Sequence, residues 1–261
     1  MIKRLVSRPK AIFYVYFPLL DAQVESVNIV GYQTLVASGQ YFSTGPTFIS
    51  VGDINSEWRL GDILGIGMVP QSDVLQFLDP ATASTSLTAT YVDEATSIDL
   101  VGDTSAVGWW NYDLDTPLDD TVFPAGTGFL CNFSSTGVSL TYAGEVLVGS
   151  TELDFSGKQY PMFANLTPVD LTLGQLTATG MVPQSDVIQF LSTSTAATEI
   201  TATYVDEATS IDLVGDTSAV GWWNYDLDTP LNSQVLAAGA AVLGNFSSAS
   251  VKITFPSPIA P

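Results

Sequence analysis

The chain has 261 residues, of which 46% are hydrophobic and only 13% charged, and its net charge is −20. So acidic a surface repels nucleic acid and anionic membranes, and no run of eighteen apolar residues after the N-terminus offers a membrane-spanning helix. There is no histidine, which removes histidine triads and histidine zinc sites, and the single cysteine, Cys131, rules out an intrachain disulfide.

In chain order, Lys3, Arg4, Arg8 and Lys10 precede an apolar run over 11–20, followed by Asp21, Ala22 and Gln23. A basic stretch, a short apolar stretch and a small residue have the form of a secretory signal over 1–22, so an extracellular or cell-surface location is expected. Pro18 interrupts the apolar run, and a buried first strand is the alternative reading. Cleavage after Ala22 would leave three basic and twenty-six acidic residues. Residues 27–36 read as the first strand.

The rest of the chain is a repeat. Residues 88–118 return letter for letter as 201–231, an offset of 113. Residues 67–78 return as 180–191 with Ile188 for Leu75. Upstream, 46–48 pair with 161–163 at an offset of 115, so copy two is expected to lack two residues, in the turn-rich loop 52–57. The expected units are copy one over 23–140 and copy two over 141–261, each long enough to bury a core. The N-terminal thirds have drifted while 88–118 has not. Either that block is constrained in both copies or gene conversion has kept it uniform.

Read as a strand, residues 107–115 place Trp110, Tyr112 and Leu114 on an inward face. Trp109, Asn111, Asp113 and Asp115 fall on the other face, as do Trp222, Asn224, Asp226 and Asp228 in copy two. An exposed indole beside amide and carboxylate groups suits a sugar, so these eight residues are the candidate ligand-binding set and glycans a candidate partner. The competing reading packs Trp109 under a loop and makes the aspartates turn formers. Asp113 and Asp115, with Asp119 and Asp120 nearby, suggest calcium, the one cofactor the composition favours. Asp119-Asp120 becomes Asn232-Ser233 in copy two, however, and solvated carboxylates are the simpler account.

Asp103-Thr104-Ser105 and Asp216-Thr217-Ser218 echo the paired loops of aspartic proteases, although Gly102 and Gly215 stand where that family has a hydrophobic residue. Gly-Asp-Thr-Ser is also an ordinary turn. No nucleophile elbow or phosphate loop occurs, so no catalytic residue is assigned and a non-enzymatic role is expected. Cys131 has Gly244 as its counterpart and reads as a small buried thiol. Each copy closes on an alternating strand: Val138, Leu140 and Tyr142 inward in one, Val251, Ile253 and Phe255 in the other. Short apolar runs between Gly, Pro and Asp turns predict an all-β chain of two tandem homologous β-sandwich or barrel-like domains.

Residues 24–33, VESVNIVGYQ, after a basic signal, resemble the mature start of uncharacterised secreted tandem β-repeat proteins of Verrucomicrobia and related bacteria. The Gly-Trp segments (Gly108-Trp109, Gly221-Trp222), the Pro124–Phe129 turn and the closing strands 138–142 and 251–255 extend the likeness over nearly the whole chain after the signal. Copy two departs at that turn, with Ala237-Ala238-Gly239-Ala240-Ala241-Val242. The resemblance implies export and a β-repeat fold and carries no active site. The expected function is an exported structural or cell-surface protein that self-assembles into a filament or surface layer, with carbohydrate binding as the alternative.

Overall fold

The computed structural model describes residues 30–37, 39–51 and 56–257. The signal-like segment and the first residues of the strand expected over 27–36 lie outside them; the described chain begins with the strand Val30–Val36. Among the described residues strands dominate at 43%, with two short α-helices, so the chain is all-β. Period-two patterning accounts for this. Val138, Leu140 and Tyr142 are buried at the closing strand Ser139–Val146, and Val251, Ile253 and Phe255 at Lys252–Phe255, while the residues between them lie nearer the surface.

In copy one, five antiparallel strands run in the order Tyr41–Thr44, Phe129–Phe133, Asp73–Leu78, Thr85–Val92, Gly108–Asn111. A second sheet centres on Ser139–Val146, which pairs with Val30–Val36 along one edge and with Ile63–Ile66 and Phe48–Ile49 along the other. Leu75, Phe77, Trp109 and Phe129 from the first sheet and Leu140 and Tyr142 from the second form one apolar cluster. Copy two repeats the five-strand order with Met162–Ala164, Ala241–Asn245, Val187–Leu191, Thr198–Val205 and Gly221–Asn224, and has its own cluster. The boundary expected at 140/141 falls inside Ser139–Val146, where Glu145 and Val146 still pair with Ile49 and Phe48.

Strand register corrects the alignment of the drifted regions. Ser43 and Thr44 pair with Leu130 and Phe129, while Met162 and Phe163 pair with Leu243 and Val242. Ser43-Thr44, not residues 46–48, are therefore the counterparts of Met162-Phe163, at an offset of 119 rather than 115. The offset is back to 113 at the 3-10 turns Leu60–Asp62 and Leu173–Gln175, so copy two is shorter by six residues between these points, not two. Sequence matching failed here because Pro-x-Phe is a short coincidence and the strand carries no shared residue.

The copies touch through a contact that is its own image under their exchange. Thr44 bridges Ala240, and Thr127 bridges Phe163; Phe163 is the counterpart of Thr44 and Ala240 that of Thr127. Likewise the Gly45 N–H donates to the Gly239 carbonyl at 2.9 Å and the Ala164 N–H to the Gly126 carbonyl at 2.9 Å. This is the pattern of a twofold, isologous interface, built here inside one chain. A Cβ on Gly45 would stand 2.7 Å from that of Ala164, and one on Gly128 would stand 2.7 Å from that of Ala241. Each of these pairs is a single repeat position facing its own counterpart, glycine in copy one and alanine in copy two. The close approach needs one member of each pair to lack a side chain. Ala241, one of the residues by which copy two departs from the Pro124–Phe129 turn, is accommodated because Gly128 faces it.

Candidate functional site

The invariant block folds as strand, helix, strand and turn, identically in both copies. The helix α1, Glu94–Val101, starts where the Asp93 carboxylate accepts the Thr96 N–H at 2.8 Å and ends at Gly102, whose φ of 88° only glycine adopts cheaply. Its counterpart α2, Glu207–Val214, is capped by Asp206 and Gly215 in the same way. A short helix normally holds on by burying an apolar face. Here the buried side chain is Ser97, whose hydroxyl donates to the Asp103 carbonyl at 2.7 Å and accepts the Ala106 N–H at 3.0 Å. Ile98, Leu100 and Val101 are 47%, 54% and 56% exposed, and Ile211, Leu213 and Val214 match them. The helix is anchored by a polar contact and turns its aliphatic residues to solvent. The sequence reading passed over this face; its only signal was Ile, Leu and Val in a helix too short to show a periodicity.

The expected sugar platform is overturned. Trp109 and Trp222 are fully buried. The indole Nε1 of Trp109 donates to the Ile63 carbonyl at 2.7 Å, and its ring meets Tyr91 edge-on at 5.2 Å; Trp222 does the same with Leu176 and Tyr204. Trp110 is the half-buried neighbour, and Tyr112, assigned inward, is 48% exposed. The faces are inverted because register places Trp109 opposite Tyr91, and because the strand is only Gly108–Asn111. Period-two counting through 115 runs past its end into a turn, where Leu114 has a φ of 59°.

That turn accounts for Asn111 and Asp115. The Asn111 amide oxygen accepts the N–H groups of Asp115 and Thr116 at 3.0 and 3.1 Å, and its NH2 donates to Asp115 at 2.7 Å. Hydrogen bonds from Thr116 and Asn111 hold the Asp115 carboxyl below the usual carboxylate range. Asn224 and Asp228 repeat the arrangement, and Asp113 and Asp226 are exposed beside it. The structure thus joins asparagine to the second aspartate and puts the tryptophan in the core.

Nor do the carboxylates converge. Among the described residues there is no group of three or more that could hold a metal ion. Asp119 accepts the Trp109 N–H at 2.9 Å, and Asn232 accepts the Trp222 N–H at the same distance. What this position retains through the repeat is an acceptor, not a charge. The aspartates of the two Asp-Thr-Ser turns, Asp103 and Asp216, are exposed and accept the N–H groups of Ser105 and Ser218 at 2.8 Å. Hydrogen bonds from the side chains and then the N–H groups of Ser105 and Ser218 lower both carboxyls, whereas a shared-proton dyad needs one of them raised.

A second repeated device escaped the sequence reading. Asp73 and Asp186 are fully buried and pin a loop to a strand end. Asp186 accepts N–H groups from Val182, Ser247 and Ser248 at 2.7, 2.6 and 2.9 Å, and Asp73 accepts those of Val69 and Ser135. Burial pushes the Asp186 carboxyl up, but the hydroxyl of Ser248 and these N–H groups outweigh it and leave it below the usual range. The signal lay in the near-identity of 67–78 and 180–191, which contains both aspartates.

No family model matches the chain, no curated protein is similar to it, and no solved structure matches it.

Proposed function

We propose that this chain is an exported, non-catalytic structural protein of the cell surface that self-assembles through the aliphatic helix each copy displays. The observation that carries the reading is the exposure of Ile98, Leu100 and Val101, and of Ile211, Leu213 and Val214, on two helices identical in sequence. Exposed aliphatic clusters mark contact sites, and two equal sites on one chain give the valency a linear assembly needs. Export rests on the basic-then-apolar segment 1–22. Glu94 and Asp99 flank the aliphatic residues and α1 has no basic residue, so apposed helices repel unless cations screen them. Calcium bridging between chains is the natural remedy for that repulsion.

Light scattering and negative-stain microscopy on the chain from residue 23, in calcium and then in EDTA, test this. Ordered polymers are expected in calcium. Particles that stay monomeric at high concentration in both conditions overturn the reading.

A further inference from the structure

A cleft of about 360 Å3 opens between the copies, within the range of small-molecule sites. Phe77 and Phe123 from copy one and Leu153, Phe155, Met162 and Phe163 from copy two form its apolar wall. Glu152, Asp154 and Lys158 stand among the residues that line it. Their distribution is notable in so acidic a protein. Beyond residue 22 the chain has only three cations, Arg59, Lys158 and Lys252. Two of them gather here: Lys252 is held by Glu152 at 2.6 Å and by Asp154 at 3.7 Å. Lys158 has no carboxylate within ion-pair distance among the described residues. The twofold image of this cleft is built differently. There the Gln33 amide donates to the Ala238 carbonyl at 3.0 Å and accepts from Thr47 at 3.0 Å. The counterpart of Gln33 by register is Thr151, too short to reach across in the same way.

We propose that this cleft binds a small amphipathic monocarboxylate, its apolar body against the phenylalanines and its carboxylate at Lys158. Lys252 offsets one of the two charges of Glu152 and Asp154, and the charge that remains repels a second anionic group on the ligand. One ligand binds per chain, because the image cleft has no lysine: the Gln40 and Gln159 carbonyls accept the N–H groups of the equivalent Phe133 and Phe246, so Gly39 stands in the place of Lys158. The site is independent of the displayed helices and of any assembly they drive.

Titration calorimetry on the full chain tests this with decanoate, 3-phenylpropionate, decanol and decylamine. Saturable binding of one decanoate or one 3-phenylpropionate per chain is expected, and the tighter of the two identifies the body as aliphatic or aromatic. Decanol should bind about tenfold more weakly than decanoate, the difference made by one charge-assisted contact. Lys158→Gln should remove that difference while leaving decanol binding and the melting temperature unchanged. Ser86→Trp, which sets a bulky ring at the wall, should weaken both ligands. The proposal is overturned if neither carboxylate binds, if decylamine binds best, or if Lys158→Gln leaves decanoate affinity intact.

Discussion

Asp119 and Asn232 occupy the same place in the two copies, and each accepts the backbone N–H of a buried tryptophan at 2.9 Å. The neighbouring glycines, Gly108 and Gly221, have a φ of 135°, and a Cβ on either would run into that acceptor. The pair predicts that Asp119→Asn is near neutral, within about 0.5 kcal/mol, while Asp119→Ala costs about 1–3 kcal/mol by orphaning the N–H. Chemical denaturation of the two variants checks this. Asp186 gives a pH prediction. Its folded carboxyl lies below the usual range, so its contribution is fully present above the unfolded value of about 3.9 and is lost as pH falls through the folded value. Asp186→Asn should flatten the decline of stability below about pH 4 relative to wild type. Trp109→Ala, by contrast, cannot probe ligand binding, since emptying that site costs about 3–5 kcal/mol of folding energy. Cys131 is buried and burial raises its thiol; its counterpart Gly244 has no room for a side chain, because the Phe246 ring lies 2.7 Å from where a Cβ would be.

At the scale of the element, α1 and α2 owe their stability to their ends. The Asp93 cap, the Gly102 terminus and the Ser97 hydroxyl are polar or conformational, so the aliphatic residues are free of structural duty. Leu100→Asp with Leu213→Asp should therefore shift stability by no more than about 0.5 kcal/mol per site while abolishing polymers seen by scattering. Ser97→Ala should do the reverse. It costs about 1–3 kcal/mol by leaving the Ala106 N–H and its partner carbonyl unpaired, and thermal melts would report it.

For the molecule as a whole, the internal twofold governs how the copies meet. Gly128→Ala places a Cβ 2.7 Å from that of Ala241 and should lower the melting temperature. Adding Ala241→Gly should recover part of the loss, and a double-mutant cycle measures the coupling, expected at about 0.5–3 kcal/mol for residues in contact. Additive losses would mean the two positions do not share a constraint. Size complementarity of this kind keeps copy two from pairing in the same way with another copy two, since two alanine faces cannot approach as closely as alanine and glycine.

Much of this was legible in the chain alone. The repeat, the all-β class and the inward faces of the closing strands follow from letter identity and period-two patterning, which are local properties. The buried thiol at Cys131 follows from composition. The faces of Trp109 and Trp110 were not legible, because a strand's phase is set by its partner: the pairing of Trp109 with Tyr91 chooses the core side. The true offset of the first strands was hidden for the same reason, since Ser43 and Met162 share a register position and no chemistry. The exposed helix, the Asp73 and Asp186 staples and the cleft between copies depend on which distant surfaces meet. Burial and cavity shape are sums over contacts far apart in the chain, and only the tertiary structure performs that sum.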